Sequence, residues 1–186
     1  DEVVKVAAKD KQAALALTDL GNLFGLVKFY KAARSKGIKP ILGCDVWITN
    51  ELDRDKASRL MLLVKTKHGY LRLCELLARA SLENQHRGRA EIRFEWLEQL
   101  FRQDSLTADG ALDGIGLIAL SGAHFGDIGI SIDNDNLELA EKNAQRWATI
   151  FPNHFYIEIQ RAGQPNMDTQ VKRAVKLAHK LGLPVV

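Results

Sequence analysis

The chain has little of several things. Among 186 residues there are two cysteines, four prolines and two methionines, and aromatic residues make up only 7%. Cys44 and Cys74 lie far apart and outside any C-x-x-C pair. They exclude a disulfide framework and read as reduced thiols of a cytoplasmic protein. Long hydrophobic runs are also missing. The longest, such as Leu60–Val64 and Gly116–Leu120, fall far short of the roughly 20 residues that span a bilayer, so no transmembrane helix and no membrane partner is expected. No basic-then-apolar leader pattern opens the chain.

What remains is ordinary globular composition, with 46% hydrophobic and 26% charged residues. That supports one domain with a substantial core. The formal charge is +3 and the pI is near 8.9, a slight basic excess compatible with a nearby nucleic acid. The chain opens in a helical pattern at Asp1-Glu2-Val3 and stops in a strand-like Pro184-Val185-Val186. Residues 1–186 are therefore expected to form a single domain truncated at both ends.

The periodicities alternate. Val3–Ala14 reads as a helix and Ala14–Thr18 as a short apolar strand. Asn22 offers a cap for a helix whose Leu23, Leu26, Val27, Tyr30 and Ala33 share one face, and Gly37 closes it. Pro40–Ile48 is the next strand, Asn50–Ser58 a charged loop, Leu60–Lys65 a strand and His68–Ala80 an amphipathic helix. Leu82–Arg93 reads as a polar loop, Phe94–Phe101 as a short helix and Gln103–Gly114 as the clearest loop. Ile115–Ser121 and Phe155–Ile159 read as strands, and helices run from Leu137 to Phe151 and from Met167 to Leu181. Strand–helix alternation predicts an α/β fold with a mostly parallel sheet, open or closed into a barrel. In such folds functional groups gather where strands end: at Thr18-Asp19, Gly43-Cys44-Asp45, Ser121–Asp127 and Glu158–Gly163.

Taken singly, these residues leave alternatives open. Asp19 could bind a metal, act as a base or tie the turn before a helix through backbone N–H groups. Asp45, well inside a strand, needs a partner or a cation unless that strand is a wet edge. The five histidines lack ligand spacing, and of them His124 alone occupies a plausible cleft position. Gly21, Gly25, Gly122, Gly126 and Gly129 fit neither a P-loop nor G-x-G-x-x-G, and read as turn glycines. Lys172, Lys176 and Lys180 form a stripe, and Arg87, Arg89 and Arg93 a basic segment; both read as solvated faces.

One stretch is more specific. Ala16-Leu17-Thr18-Asp19-Leu20-Gly21-Asn22-Leu23-Phe24-Gly25-Leu26-Val27-Lys28-Phe29-Tyr30, followed by Gly37–Asp45, closely resembles the PHP (polymerase and histidinol phosphatase) domain that opens bacterial DNA polymerase III alpha subunits. Gly69–Leu73, Leu120-Ser121-Gly122, Tyr156–Arg161 and Gly182–Val186 continue the resemblance in order. It implies a distorted (β/α)7 barrel, incomplete here because its first strand and the end of the domain lie outside the chain. Metal-competent members of the family hold a trinuclear cluster and hydrolyse phosphoesters. Where they have Thr-Asp-His, this chain has Thr18-Asp19-Leu20. Where they have Gly-Cys-Glu it has Gly43-Cys44-Asp45, a shorter carboxylate still able to bind. A histidine before the third strand aligns with Arg59, and a cysteine after Leu-Ser-Gly with Ala123.

Leu20, Asp45, Arg59 and Ala123 are thus vestigial ligand positions, and a multi-metal site needs its full donor set. The resemblance implies no catalytic, cofactor-binding or metal-ligating residue in this chain, and no cofactor. The implied role is scaffolding and docking of the proofreading exonuclease (epsilon) subunit, packed against the rest of the alpha subunit. DNA is reached through the parent polymerase, whose Mg2+ lies in another domain. The alternative is a metal-dependent phosphoesterase or 3′–5′ exonuclease that rebuilds a site around Asp45 and His124. A direct DNA-binding module, resting on the net charge and the Lys172 stripe, is a third reading. An opened barrel leaves strand edges unpaired, so self-association of the fragment is also expected.

Overall fold

The computed structural model describes residues 2–104, 115–163 and 167–186. The loop expected at Gln103–Gly114 lies mostly outside them. Helix α1 spans Glu2–Lys9, and strand β1, Ala14–Leu20, follows. Helix α2, Leu26–Ser35, leads to the long strand β2, Lys39–Ile48. A 3-10 turn at Arg54–Lys56 precedes β3, Ser58–Val64, and α3, Lys67–Glu83. Two short strands, β4 at Gln85–His86 and β5 at Arg89–Ile92, come before α4, Phe94–Asp104. The remainder comprises β6 (Leu117–Leu120), a 3-10 turn (Ala123–Phe125), α5 (Asp127–Asp133), α6 (Leu137–Ile150), β7 (Phe155–Tyr156) and α7 (Met167–Leu181).

The sheet is mixed, which corrects the expectation of mostly parallel strands. β2 is central. Its first part pairs in parallel with β1 and its last two residues with β5, on the same side. On the other side it pairs with β3, which runs antiparallel both to β2 and to β6. β6 and β7 are again parallel, and Ile157 bridges Val185 beyond them. The reversal of β3 has a simple cause. The link from β2 runs only from Thr49 to Ala57, shorter than the dozen or more residues a parallel crossover needs. Among the described residues the sheet does not close, because β2 is the only strand paired with β1. This is a distorted, partial α/β barrel.

The main core lies between the sheet and helices α3 to α7. Trp147, Phe151 and Phe155 are its largest fully buried side chains, packed with Leu60, Leu62, Leu73 and Leu117. The helical faces read from Leu73, Leu77 and Ala80, and from Ala140, Ala144 and Trp147, are the ones turned inward. A smaller cluster of Val4, Ala7, Ala33 and Ile38 joins α1 to α2.

Several local expectations are corrected. Helix α1 ends at Lys9, short of Ala14. Asn22 does not cap α2: its Oδ1 accepts the Phe24 N–H at 3.0 Å and its Nδ2 donates to the Leu20 carbonyl at 2.9 Å, forming a turn, and Gly25 holds the cap position. The polar stretch 82–93 contains the β4–β5 hairpin. Its two-residue turn, Arg87-Gly88, has φ of 49° and 78°, left-handed at both positions, as the turns favoured between twisted strands require.

Candidate functional site: the rim of the sheet

Because β3 runs backward, its first residues lie at the same rim as the last residues of its neighbours. The register sets Arg59 opposite Trp47 on β2, and Met61 opposite both Asp45 and Leu120. Leu20, the last residue of β1, pairs with Asp45. The loop after β6 brings Ser121–Phe125 to the rim, and Glu158 follows β7. Chain segments far apart in sequence thus converge on one edge.

Arg59 organises it. Its Nη1 donates to Asp45 Oδ2 at 3.2 Å. Its guanidinium carbon lies 4.7 Å from the Trp47 ring centroid and 4.5 Å from that of Phe125, within the range where a cation is held by ring faces. The pair is largely withdrawn from water, with side-chain exposures of 23% for Arg59 and 18% for Asp45. Burial raises the Asp45 carboxyl above the usual carboxylate range; Arg59 pulls it back down and the charge of Glu158 pushes it up again. A wet edge strand is excluded for Asp45, since β2 has strand partners on both sides. The demand that a strand carboxylate be paired is met by Arg59.

The turn after β6 is shaped by Gly122. Its φ is +73°, and a Cβ there would stand 2.6 Å from the Arg59 carbonyl oxygen. A glycine is therefore required where this loop crosses β3. Ser121 Oγ accepts the Glu158 N–H at 2.9 Å, tying the two rim loops together. Glu158 Oε1 accepts from Gln160 Nε2 at 2.7 Å, whereas Glu158 Oε2, His124 Nδ1 and Arg59 Nε are buried and lack a hydrogen-bond partner among the described residues.

The other strand-end residues have structural occupations. Asp19 Oδ2 accepts the Gly25 N–H at 3.1 Å, the turn-tying arrangement weighed from sequence. Gly25 makes room for it, because a Cβ there would lie 2.7 Å from that oxygen. The Cys44 thiol donates to the Asp19 and Asn22 carbonyls at 3.2 and 3.4 Å. Burial pushes it up to about 12, so it stays protonated at neutral pH. Leu20 is 43% exposed and Ala123 is buried; neither side chain carries a donor atom. Among the described residues, no three His, Cys, Asp or Glu side chains converge as a metal-ion site. A guanidinium beside Asp45 and apolar groups at Leu20 and Ala123 do not fit a multi-metal cluster. Sequence reasoning found the strand ends and Arg59, but missed the Arg59–Asp45 pair and its contacts with Trp47 and Phe125, because they depend on β3 being reversed.

A partial α/β barrel with its polar residues gathered at one rim is the architecture of a PHP-type domain. The PHP domain model matches residues 1–162, and the chain belongs to that family. It is 44% identical over 189 aligned residues to the DNA polymerase III subunit alpha of Neisseria meningitidis serogroup A, 40% over 184 to that of Pseudomonas fluorescens and 35% over 184 to that of Escherichia coli K12. In each case 99% of this chain is covered, but only 15–16% of the relative, so the chain spans about a sixth of their length. The fold is similar to a crystal structure from Bifidobacterium adolescentis described as "a putative metal-dependent phosphoesterase". The TM-score is 0.54 at 14% identity, covering 99% of this chain and 79% of the other. No helix among the described residues is long and apolar enough to cross a membrane.

Proposed function

We propose that this chain is the PHP module of a DNA polymerase III alpha subunit, a cytoplasmic DNA-directed DNA polymerase of chromosomal replication. The module itself is non-catalytic and metal-free. It stabilises the alpha subunit and docks the proofreading exonuclease subunit, while nucleotidyl transfer, DNA and the Mg2+ it needs belong to the rest of the polymerase. The observation that carries this reading is Arg59, paired with Asp45 and flanked by Trp47 and Phe125. A fixed internal cation there neutralises the carboxylate that a metal would need. The relatives named DNA polymerase III subunit alpha support the parent. The side of β1 away from β2 has no strand partner among the described residues, which supports self-association when the module is isolated.

A second reading, a metal-dependent phosphoesterase or 3′–5′ exonuclease, draws on the unpartnered Glu158 Oε2 and His124 Nδ1. Two measurements separate the readings. Calorimetric titration of the intact polymerase with the exonuclease subunit is expected to show binding that chelator leaves unchanged. Hydrolysis of a chromogenic phosphoester by the exonuclease-free polymerase is expected to stay at background with added Mn2+ or Zn2+. Manganese-dependent hydrolysis abolished by Asp45→Asn would replace the first reading by the second.

A further inference from the structure

The positive charge of this chain is concentrated at one end. Residues 1–39 hold eight Lys and Arg against four Asp and Glu, whereas the other 147 residues hold 18 against 19. In the fold, part of that excess lines one feature, a groove of about 440 Å3 between α1 and α2. Its floor is Val4 and Ala32, and around it stand Lys5, Lys28, Lys31, Lys36 and Ser35. The Ser35 hydroxyl is already used, donating to the Ala32 carbonyl at 2.8 Å.

Among the described residues the lysines are uncompensated. Among the described residues no acidic side chain lines the groove, and none of the four lysines makes an ion pair with a described carboxylate. Basic side chains elsewhere are mostly neutralised. Arg54 and Arg89 meet Glu91, Arg87 meets Asp55, Arg79 meets Glu83 and Arg173 meets Asp135. The Lys172 stripe, on which the direct DNA-binding reading rested, is partly neutralised too, since Lys180 Nζ lies 2.6 Å from Glu141. Lys28 and Lys31 are spaced i, i+3 on α2, so they share a face and repel each other. Such a cluster destabilises the isolated fold slightly and gains from an external polyanion.

We propose that the α1–α2 groove is a sequence-independent contact for the phosphodiester backbone of a nucleic acid. Lysine is a mobile point charge suited to tracking phosphates, whereas carboxylate recognition favours the bidentate fork of arginine, which is absent from this groove. Among the described residues no aromatic ring and no Asn or Gln lines it, so neither base stacking nor base-edge reading is built in, and the contact is to the backbone. This inference is independent of the proposed function, because it rests on charge and groove composition alone.

The test is fluorescence anisotropy of the intact protein with a labelled 20-nucleotide mixed-sequence duplex across a KCl series. Lys28→Ala/Lys31→Ala is compared with Lys172→Ala/Lys176→Ala, which removes the same charge from α7. The groove variant is expected to weaken binding about tenfold at low salt and to reduce the slope of log K against log salt by roughly 0.9 for each phosphate it no longer neutralises. The α7 variant is expected to leave the slope unchanged. Circular dichroism confirms that both variants are folded. Equal weakening in the two variants, an unaltered slope in the groove variant, or no measurable binding would each overturn the proposal. So would competition by poly-glutamate as effective as that by an oligonucleotide of equal charge, which would assign the groove to an acidic protein segment. Failure leaves the polymerase assignment untouched, because that assignment rests on the family and its relatives and not on this groove.

Discussion

Arg59, at the start of β3, reaches Asp45 on the neighbouring β2 and holds its Oδ2 at 3.2 Å, with Trp47 and Phe125 against the guanidinium. The pair exists because the short Thr49–Ala57 link makes β3 antiparallel and so returns the beginning of that strand to the rim where its neighbours end. A residue that would point away in an all-parallel sheet becomes the centre of the rim.

Removing Arg59 leaves Asp45 partly buried and unpaired. Arg59→Ala is expected to lower stability by about 1–3 kcal/mol, below the full cost of breaking a buried pair because both groups keep some water contact. Arg59→Lys is expected to recover little, since the planar stacking is lost. Asp45→Asn in the Arg59→Ala background is expected to recover part of the loss. Urea unfolding of the parent, Arg59→Ala, Asp45→Asn and the combined variant forms a double-mutant cycle, and additive effects would contradict the coupling.

Asp127 provides a pH test. Trp147 Nε1 donates to both its oxygens at 3.0 Å. Burial nevertheless raises its carboxyl above the usual range, against the opposing effects of Trp147 and Arg146. A carboxyl raised in the folded state favours folding when protonated, so its contribution is present below the unfolded-state pKa and is lost as pH rises through the folded-state value. Asp127→Asn mimics the neutral form. Its stability relative to the parent is expected to improve as pH climbs from about 4 to 7. Denaturant unfolding at several pH values checks this, and a gap independent of pH would contradict it.

Gly122→Ala and Gly37→Ala separate backbone strain from crowding. Both glycines have left-handed φ, +73° and +72°, but a Cβ at Gly37 meets nothing within 4 Å, whereas one at Gly122 meets the Arg59 carbonyl at 2.6 Å. Gly37→Ala is expected to cost about 1 kcal/mol from conformation alone, and Gly122→Ala clearly more. Equal costs would show that the rim loop moves aside freely.

Cys44 is expected to resist alkylation. With its thiol pushed to about 12 and donating to two carbonyls, it is protonated and enclosed at pH 8. In a Cys74→Ser background, iodoacetamide is expected to label the protein only after unfolding. Stoichiometric labelling of the native protein would contradict the geometry at the end of β2.

Most helices were legible because they bury an amphipathic stripe, as Leu73 and Leu77, Ala140 and Ala144, and Val171 and Ala178 show. Strands β1 and β2 were legible from their apolar runs. The β4–β5 hairpin was hidden by its polar composition and by an Arg-Gly turn in place of the usual Asn-Gly. Helix α5 was hidden because Gly129 and the acidic ends Asp127 and Asp133 give seven residues with no clear period. The strand ends could be named from alternation alone, but not the pairing across them. That pairing rests on a strand direction set by loop length, a signal available in the nine residues between Ile48 and Ser58.

Elemental analysis of the intact protein, purified without chelator, bears most directly on the metal-free rim. Zinc, manganese and iron are expected near zero, because Arg59 supplies the positive charge at Asp45 and the positions of Leu20 and Ala123 offer no donor. Stoichiometric metal that disappears on Asp45→Asn or Glu158→Gln would contradict this and make the rim a working metal centre.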